Sequence, residues 1–205
     1  MGYSHNFFAL DVGKLKGIFG SKNDELMNQI LKEQQEDIND NDAFFEDEIE
    51  LGEVPNTSTA IRQIFDGNPQ MDAEGAIYGY ALKIICQHLG EPVWGGEYGV
   101  ADVTDHPYKS NLLKSGIPIP IPEPSDFPMI GHLSLDQIDD EIELATGKHE
   151  KTASDSAEAL SALRSAFGLR RGEINAEEIQ EDIDAYVETL QKAKQLAMGL
   201  VSFRH

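Results

Sequence analysis

The sequence predicts an α+β fold, predominantly helical, with a few short strands and a C-terminal antiparallel helical hairpin. Three observations lead there. Apolar residues recur at spacings of three, four and seven along most of the 205 residues, which is the stripe of a helix packed on a core. Compact aromatic and aliphatic runs of strand length stand at Phe7 to Leu10 and at Phe127 to Leu133. The stretch from Gly147 to Ser156 is polar and without apolar period, and two amphipathic segments follow it. The chain therefore reads as an α+β core domain over residues 1–146, a linker over 147–155 and a helical hairpin over 156–205.

Taken in order, Tyr3 to Asp11 reads as a strand, and Asp11 as the cap of a short helix ending near Gly20. Ser21 with Asp24 three residues on resembles a capping box. It opens a helix to about Asn39, whose inner face carries Leu26, Met27, Ile30, Leu31 and Ile38. Thr57 or Ser58 caps the next helix, which Gly67 stops. Asp72 caps a helix through Leu89 that is apolar almost all round, from Ala76, Ile77 and Tyr80 to Ile84 and Ile85. Such a helix is stable only when surrounded, so it is the expected centre of the core, with Tyr80 and Cys86 both buried in it.

Trp94 to Gly99 holds three glycines in six positions and reads as a turn, since it matches no phosphate-binding loop. Ile117 to Pro122 alternates isoleucine and proline, so the chain must be extended there while losing every second backbone donor. It suits an edge strand or an unpaired connector with its isoleucines facing inward. Ser134 caps a helix carrying Leu135, Ile138, Ile142 and Ala145, with Asp136, Asp139, Asp140, Glu141 and Glu143 on its outer side. The hairpin pairs a helix over about 156–167 with one opened by Asn175, whose stripe runs from Ile179 through Ile183, Tyr186 and Leu190 to Leu200.

Charge bounds the function. There are 37 Asp and Glu against 16 Lys and Arg, a net charge of −21. A surface this acidic repels phosphate backbones and anionic membranes, so no nucleic acid and no membrane is expected among its partners. Only one cysteine is present, Cys86, so neither an internal disulfide nor a cysteine-based zinc cluster is expected. The N-terminus lacks the basic and apolar regions of a signal peptide, and no apolar run approaches the roughly 18 residues of a membrane span, so a cytoplasmic address is expected.

Between Asp24 and Glu53 twelve acids face the single Lys32. The bland reading is a solvated face, because water screens self-repulsion. The functional reading is a docking surface for a basic protein, centred on Glu36, Asp37, Asp40, Asp42, Glu46, Asp47 and Glu48. Asp102, Asp105 and His106 are the candidate metal ligands, three hard-cation donors within five positions. No cofactor is expected, and none of the six histidines stands in a recognisable catalytic motif.

Several short pieces together carry a resemblance: Tyr3 with the Phe7-to-Asp11 strand, Gly20-Ser21-Lys22, Tyr78-Gly79-Tyr80-Ala81-Leu82, Cys86-Gln87-His88-Leu89-Gly90, Pro118 to Pro122, and Phe127 to Leu133. Over roughly residues 1–145 the chain resembles a family of uncharacterised bacterial proteins, a domain of unknown function. The resemblance implies a bacterial cytoplasmic α+β domain with the C-terminal helices appended, and it brings no catalytic residue.

The expected function is a non-enzymatic protein-binding module, immunity-like in one form, that docks a basic partner. The alternative is an unrecognised hydrolase or metal-dependent enzyme, for which the sequence supplies no constellation. The apolar stripe of the hairpin, if left bare, would make a homodimer seam.

Overall fold

The computed structural model describes residues 3–98, 110–146 and 176–205. The linker and the first arm of the expected hairpin lie outside these residues.

A four-stranded antiparallel sheet organises the chain, built from β1 (Tyr3–Leu10), β2 (Glu91–Tyr98), β3 (Met129–Leu133) and β4 (Gly199–Arg204) in the order β2-β1-β4-β3. Successive side chains on a strand point to opposite faces. In β1, Phe8 and Leu10 enter one core while Phe7 and Ala9 enter the other. Both faces are covered, which is why the run is apolar without alternation. β4 is treated the same way: Val201 and Phe203 face the first core and Leu200 the second, and all six of its residues are buried.

The first core is covered by six helices: α1 (Val12–Lys16), α2 (Asp24–Glu33), α3 (Gln35–Phe44), α4 (Glu46–Glu50), α5 (Thr57–Asp66) and α6 (Ala76–Leu89). Asp11 caps α1 by accepting from the Lys14 N–H at 3.0 Å, as expected. The helix expected to run to Asn39 breaks at Gln34 into α2 and α3, and the change of direction returns Ile38 to the core. Its cap is Asn23, which accepts from Leu26 N–H; Ser21 instead accepts from Asn23 N–H. Asn56, rather than Thr57 or Ser58, caps α5 through Thr59 N–H at 2.8 Å. The chain leaves α5 through Gly67 at φ 71°, and Asn68 N–H closes back on Gln63 C=O.

α6 is the central helix, with Ile77, Ala81, Leu82, Ile85 and Cys86 fully buried. It starts from Gly75 with no side-chain cap, so the role expected of Asp72 is not filled. Tyr80 is only half-buried; the wholly buried tyrosine is Tyr78, whose hydroxyl donates to Gln63 Oε1 and accepts from Gln70 N–H at 2.8 Å.

The second core lies under α7 (Asn111–Lys114), α8 (residues 135–146) and α9 (Ala176–Gln195). Ser134 opens α8 by donating its hydroxyl to Gln137 Oε1, which also accepts from Ser134 N–H, the reach-back half of a capping box, while Gln137 N–H bonds to the Ser134 C=O. Ile119 and Ile121 enter the first core from an unpaired connector, and Phe127 to Leu133 leads into β3 as expected.

Two elements differ from expectation. Residues 94–98, expected in a turn, belong to β2, whose register with β1 shifts between Phe7 and Phe8. Pro92 is tolerated because, among the described strands, β2 is at the edge of the sheet. The last helix stops at Gln195, turns through Ala197 at φ 55°, and the chain enters the sheet as β4. The described C-terminal residues, 176–205, are therefore a helix followed by a strand that lies between β1 and β3. The described stripe residues Ile183, Tyr186, Leu190 and Ala193 are buried against the chain's own sheet, and no bare seam is left along them.

Candidate functional site

α3 carries acids on its outer side because only Ile38 of this helix is buried. α6 turns its polar residues Tyr80, Lys83 and Gln87 toward α3. Between the two helices lies an open cleft of about 230 Å³, lined by Asp37, Asp40, Asn41, Phe44, Tyr80, Lys83, Ile84 and Gln87. Gln87 donates its side-chain amide to Asp37 Oδ2 at 3.1 Å. Lys83 Nζ stands 3.3 Å from His205 Nε2, just beyond the end of β4.

An aromatic group forms the rim. Phe44 packs edge-on against Phe45 at 4.9 Å between centroids, and both rings lean on Tyr80, at 6.3 and 5.8 Å. Tyr80 in turn touches the His205 ring at 5.8 Å. Phe45 is buried, whereas Phe44 is 74% exposed.

Burial sets the protonation of this group. It lowers the Lys83 amine below the usual lysine range, with the Asp37 carboxylate pulling the other way. Burial, then the nearby Lys83 and His5, bring His205 down to about 4, so its imidazole is neutral at pH 7. Burial raises the Tyr80 phenol as well.

Of the seven acids expected to dock a partner, Asp37 and Asp40 line the cleft. Glu36, Glu46, Asp47 and Glu48 are exposed, and among the described residues no ion pair engages them. Asp42 instead holds two helices together. Its Oδ1 accepts from Thr57 N–H at 2.7 Å and Asn41 donates to the Thr57 hydroxyl, so α3 secures the first turn of α5. Asp102, Asp105 and His106 lie outside the described residues. Among the described residues no group of three or more His, Cys, Asp or Glu side chains could hold a metal ion. No described helix is long and apolar enough to cross a membrane. Cys86 is wholly buried and its thiol is pushed up by burial, which leaves no thiolate for nucleophilic chemistry.

A second polar cluster escapes a reading of the sequence. Glu141, expected on the outer side of α8, is fully buried. Its Oε1 accepts from the Ser110 hydroxyl at 2.5 Å and from the Tyr186 hydroxyl at 3.1 Å, and its Oε2 from Asn111 N–H at 3.0 Å. Ser110 and Tyr186 are themselves buried, so the cluster joins α7, α8 and α9 as an internal anchor. A signal is present nonetheless: Ile138, Glu141 and Ala145 stand at i, i+3 and i+7, the spacing of one buried face.

No curated protein and no solved structure matches the chain. One family does, and its match runs over residues 1–205, so the α9 and β4 region that the sequence set apart is part of it as much as the sheet it completes. The chain belongs to the family described as Domain of unknown function (DUF7691).

Proposed function

We propose that the chain is a non-enzymatic protein-binding module that docks a basic partner on the α3–α4 face, with a cationic side chain of the partner entering the cleft between α3 and α6. The observation that carries this reading is the juxtaposition of Asp37 and Asp40 with the exposed Phe44 and with Tyr80 in one open cleft. Aromatic faces attract a cation through their quadrupole, and carboxylates beside them add charge and direction. The exposed Glu36, Glu46, Asp47 and Glu48 extend the negative field around that cleft and would steer a basic partner onto it.

The test uses an arginine-rich peptide and an acidic peptide of equal length, followed by fluorescence anisotropy. Only the basic peptide is expected to bind. Its affinity should fall steeply between low and physiological salt, where exposed charges are screened over about 8–10 Å. Asp40→Lys and Phe44→Ala should each weaken it, whereas Asp136→Lys and Leu135→Ala on α8 should not. Equal losses from the α8 pair would reduce the interaction to the net charge of the chain and overturn the assignment to this face.

A further inference from the structure

Lys83 is the one described lysine whose amine is seated in a cleft beside an imidazole. Four groups from three directions surround it. Asp37 comes from α3, Tyr80 and Gln87 from its own helix, and His205 from the residue after β4, with Nζ to Nε2 at 3.3 Å. The His205 ring is fixed from the side by Tyr80, and its Nδ1 is buried with no hydrogen-bond partner. Nε2 is thus the ring atom that meets the amine. The cleft is open to solvent, so a small acyl donor can reach Nζ.

We infer that Lys83 is a site of acylation, an amine held by His205 in a reactive orientation toward neutral acyl thioesters. The Nζ lone pair forms an N–C bond to the thioester carbonyl carbon, and the C–S bond breaks. The proton that Nζ loses passes by way of Nε2 to the departing thiolate. The products are an amide and a thiol, with no change of oxidation state. Burial lowers the basicity of the Lys83 amine, which enlarges its share of the free-base form that attacks a carbonyl. Anionic donors are disfavoured because Asp37 and Asp40 share the cleft and the whole chain carries a charge of −21. The inference shares its cleft with the docking role proposed above but does not rest on it, since its test needs no partner.

The experiment exposes the intact chain briefly to a neutral acetyl thioester, the acetyl ester of N-acetylcysteamine, and reads acetyl occupancy at each lysine by peptide mass spectrometry. Lys83 should be acetylated several-fold faster than the exposed Lys14, Lys22 and Lys192. That preference should vanish in a urea-unfolded sample. His205→Gln should slow Lys83 toward the exposed lysines, and Asp37→Asn, which removes the carboxylate holding the ammonium, should speed it. Both variants are checked for native circular dichroism. Acetylation of Lys83 at or below the rate of the exposed lysines in the folded parent would overturn the inference, as would a His205→Gln chain that is folded and equally reactive.

Discussion

Tyr186 on α9 donates its hydroxyl to the buried carboxylate of Glu141 on α8 at 3.1 Å, and the same oxygen takes the Ser110 hydroxyl at 2.5 Å. A buried carboxylate is tolerated only when its lone pairs are occupied. Each donor is therefore worth more here than on the surface. Tyr186→Phe should lower stability by about 1.5–3 kcal/mol, the range for a hydrogen bond to a charged group. Urea melts of Tyr186→Phe, Ser110→Ala and the double variant check this. Because both bonds end on one oxygen, the two losses should be non-additive.

Ala197 turns the chain from α9 into β4 at φ 55°, a left-handed conformation that disfavours any residue with a Cβ. Leu196, Ala197 and Met198 N–H groups close on Lys192, Lys194 and Ala193 C=O there, the pattern of a helix terminus that glycine usually occupies. The residue is exposed, so substitution removes no packing. Ala197→Gly should raise stability by about 0.5–1 kcal/mol, the relief of strain less the added freedom of the unfolded chain. An unchanged or lower denaturation midpoint would refute this.

Gly131 on β3 lies under α7, and a Cβ built there would meet the Leu112 carbonyl oxygen at 2.6 Å. That atom is backbone and cannot swing aside. Gly131→Ala should cost about 1–3 kcal/mol, the usual range for overpacking. Faster hydrogen exchange around α7 should accompany the loss.

Ile85 is fully buried at the middle of α6. Ile85→Ala should cost about 2–5 kcal/mol through lost burial and a residual cavity. An unaltered midpoint would reject α6 as the centre of the first core.

His205 gives stability a pH dependence of definite sign. Its folded-state pKa is near 4 against the ordinary 6.5. Between those values the unfolded chain takes up a proton that the folded chain refuses. The contribution is thus present above pH 6.5 and lost as pH falls toward 4. Lys83, Tyr80 and His5 face the ring, and of these Lys83 and His5 oppose its protonation. Carboxylates titrate in the same window, so the measurement is a difference: between pH 6.5 and 4 the parent should lose stability more steeply than His205→Gln. Parallel curves would exclude the assignment.

How much of this is legible in the sequence depends on whether the pattern is local. β1, the caps at Asp11 and Ser134, the stop at Gly67 and the buried circumference of α6 rest on adjacent residues and can be read directly. β4 is hidden because Ala193, Ala197 and Leu200 keep a helical spacing across a turn that only the sheet reveals. Gly199, where a Cβ would sit 2.5 Å from Leu133 C=O, is the one local sign of a strand fitting closely there. For the cleft, the acids of α3 are visible in the sequence. Their meeting with Tyr80, Lys83 and His205 is not, because it depends on helix packing and on a strand that returns from far along the chain. Glu141 is misplaced by any reading that weighs its charge above its spacing.

The position of β4 also governs when the molecule can assemble. β1 is made first of the four described strands, yet one of its two edges is closed by β4, which is made last of the four and is, among the described strands, the one neighbour of β3. Until Gly199 to Arg204 emerge during synthesis, β1 keeps an open edge beside Phe7 and Phe8, a template for pairing with another chain. Closure then joins residues separated by nearly the whole sequence, an ordering step slow compared with helix formation. A nascent chain stalled before Gly199 would therefore hold its helices without a continuous sheet, and the interval before β4 arrives is when aggregation competes with folding.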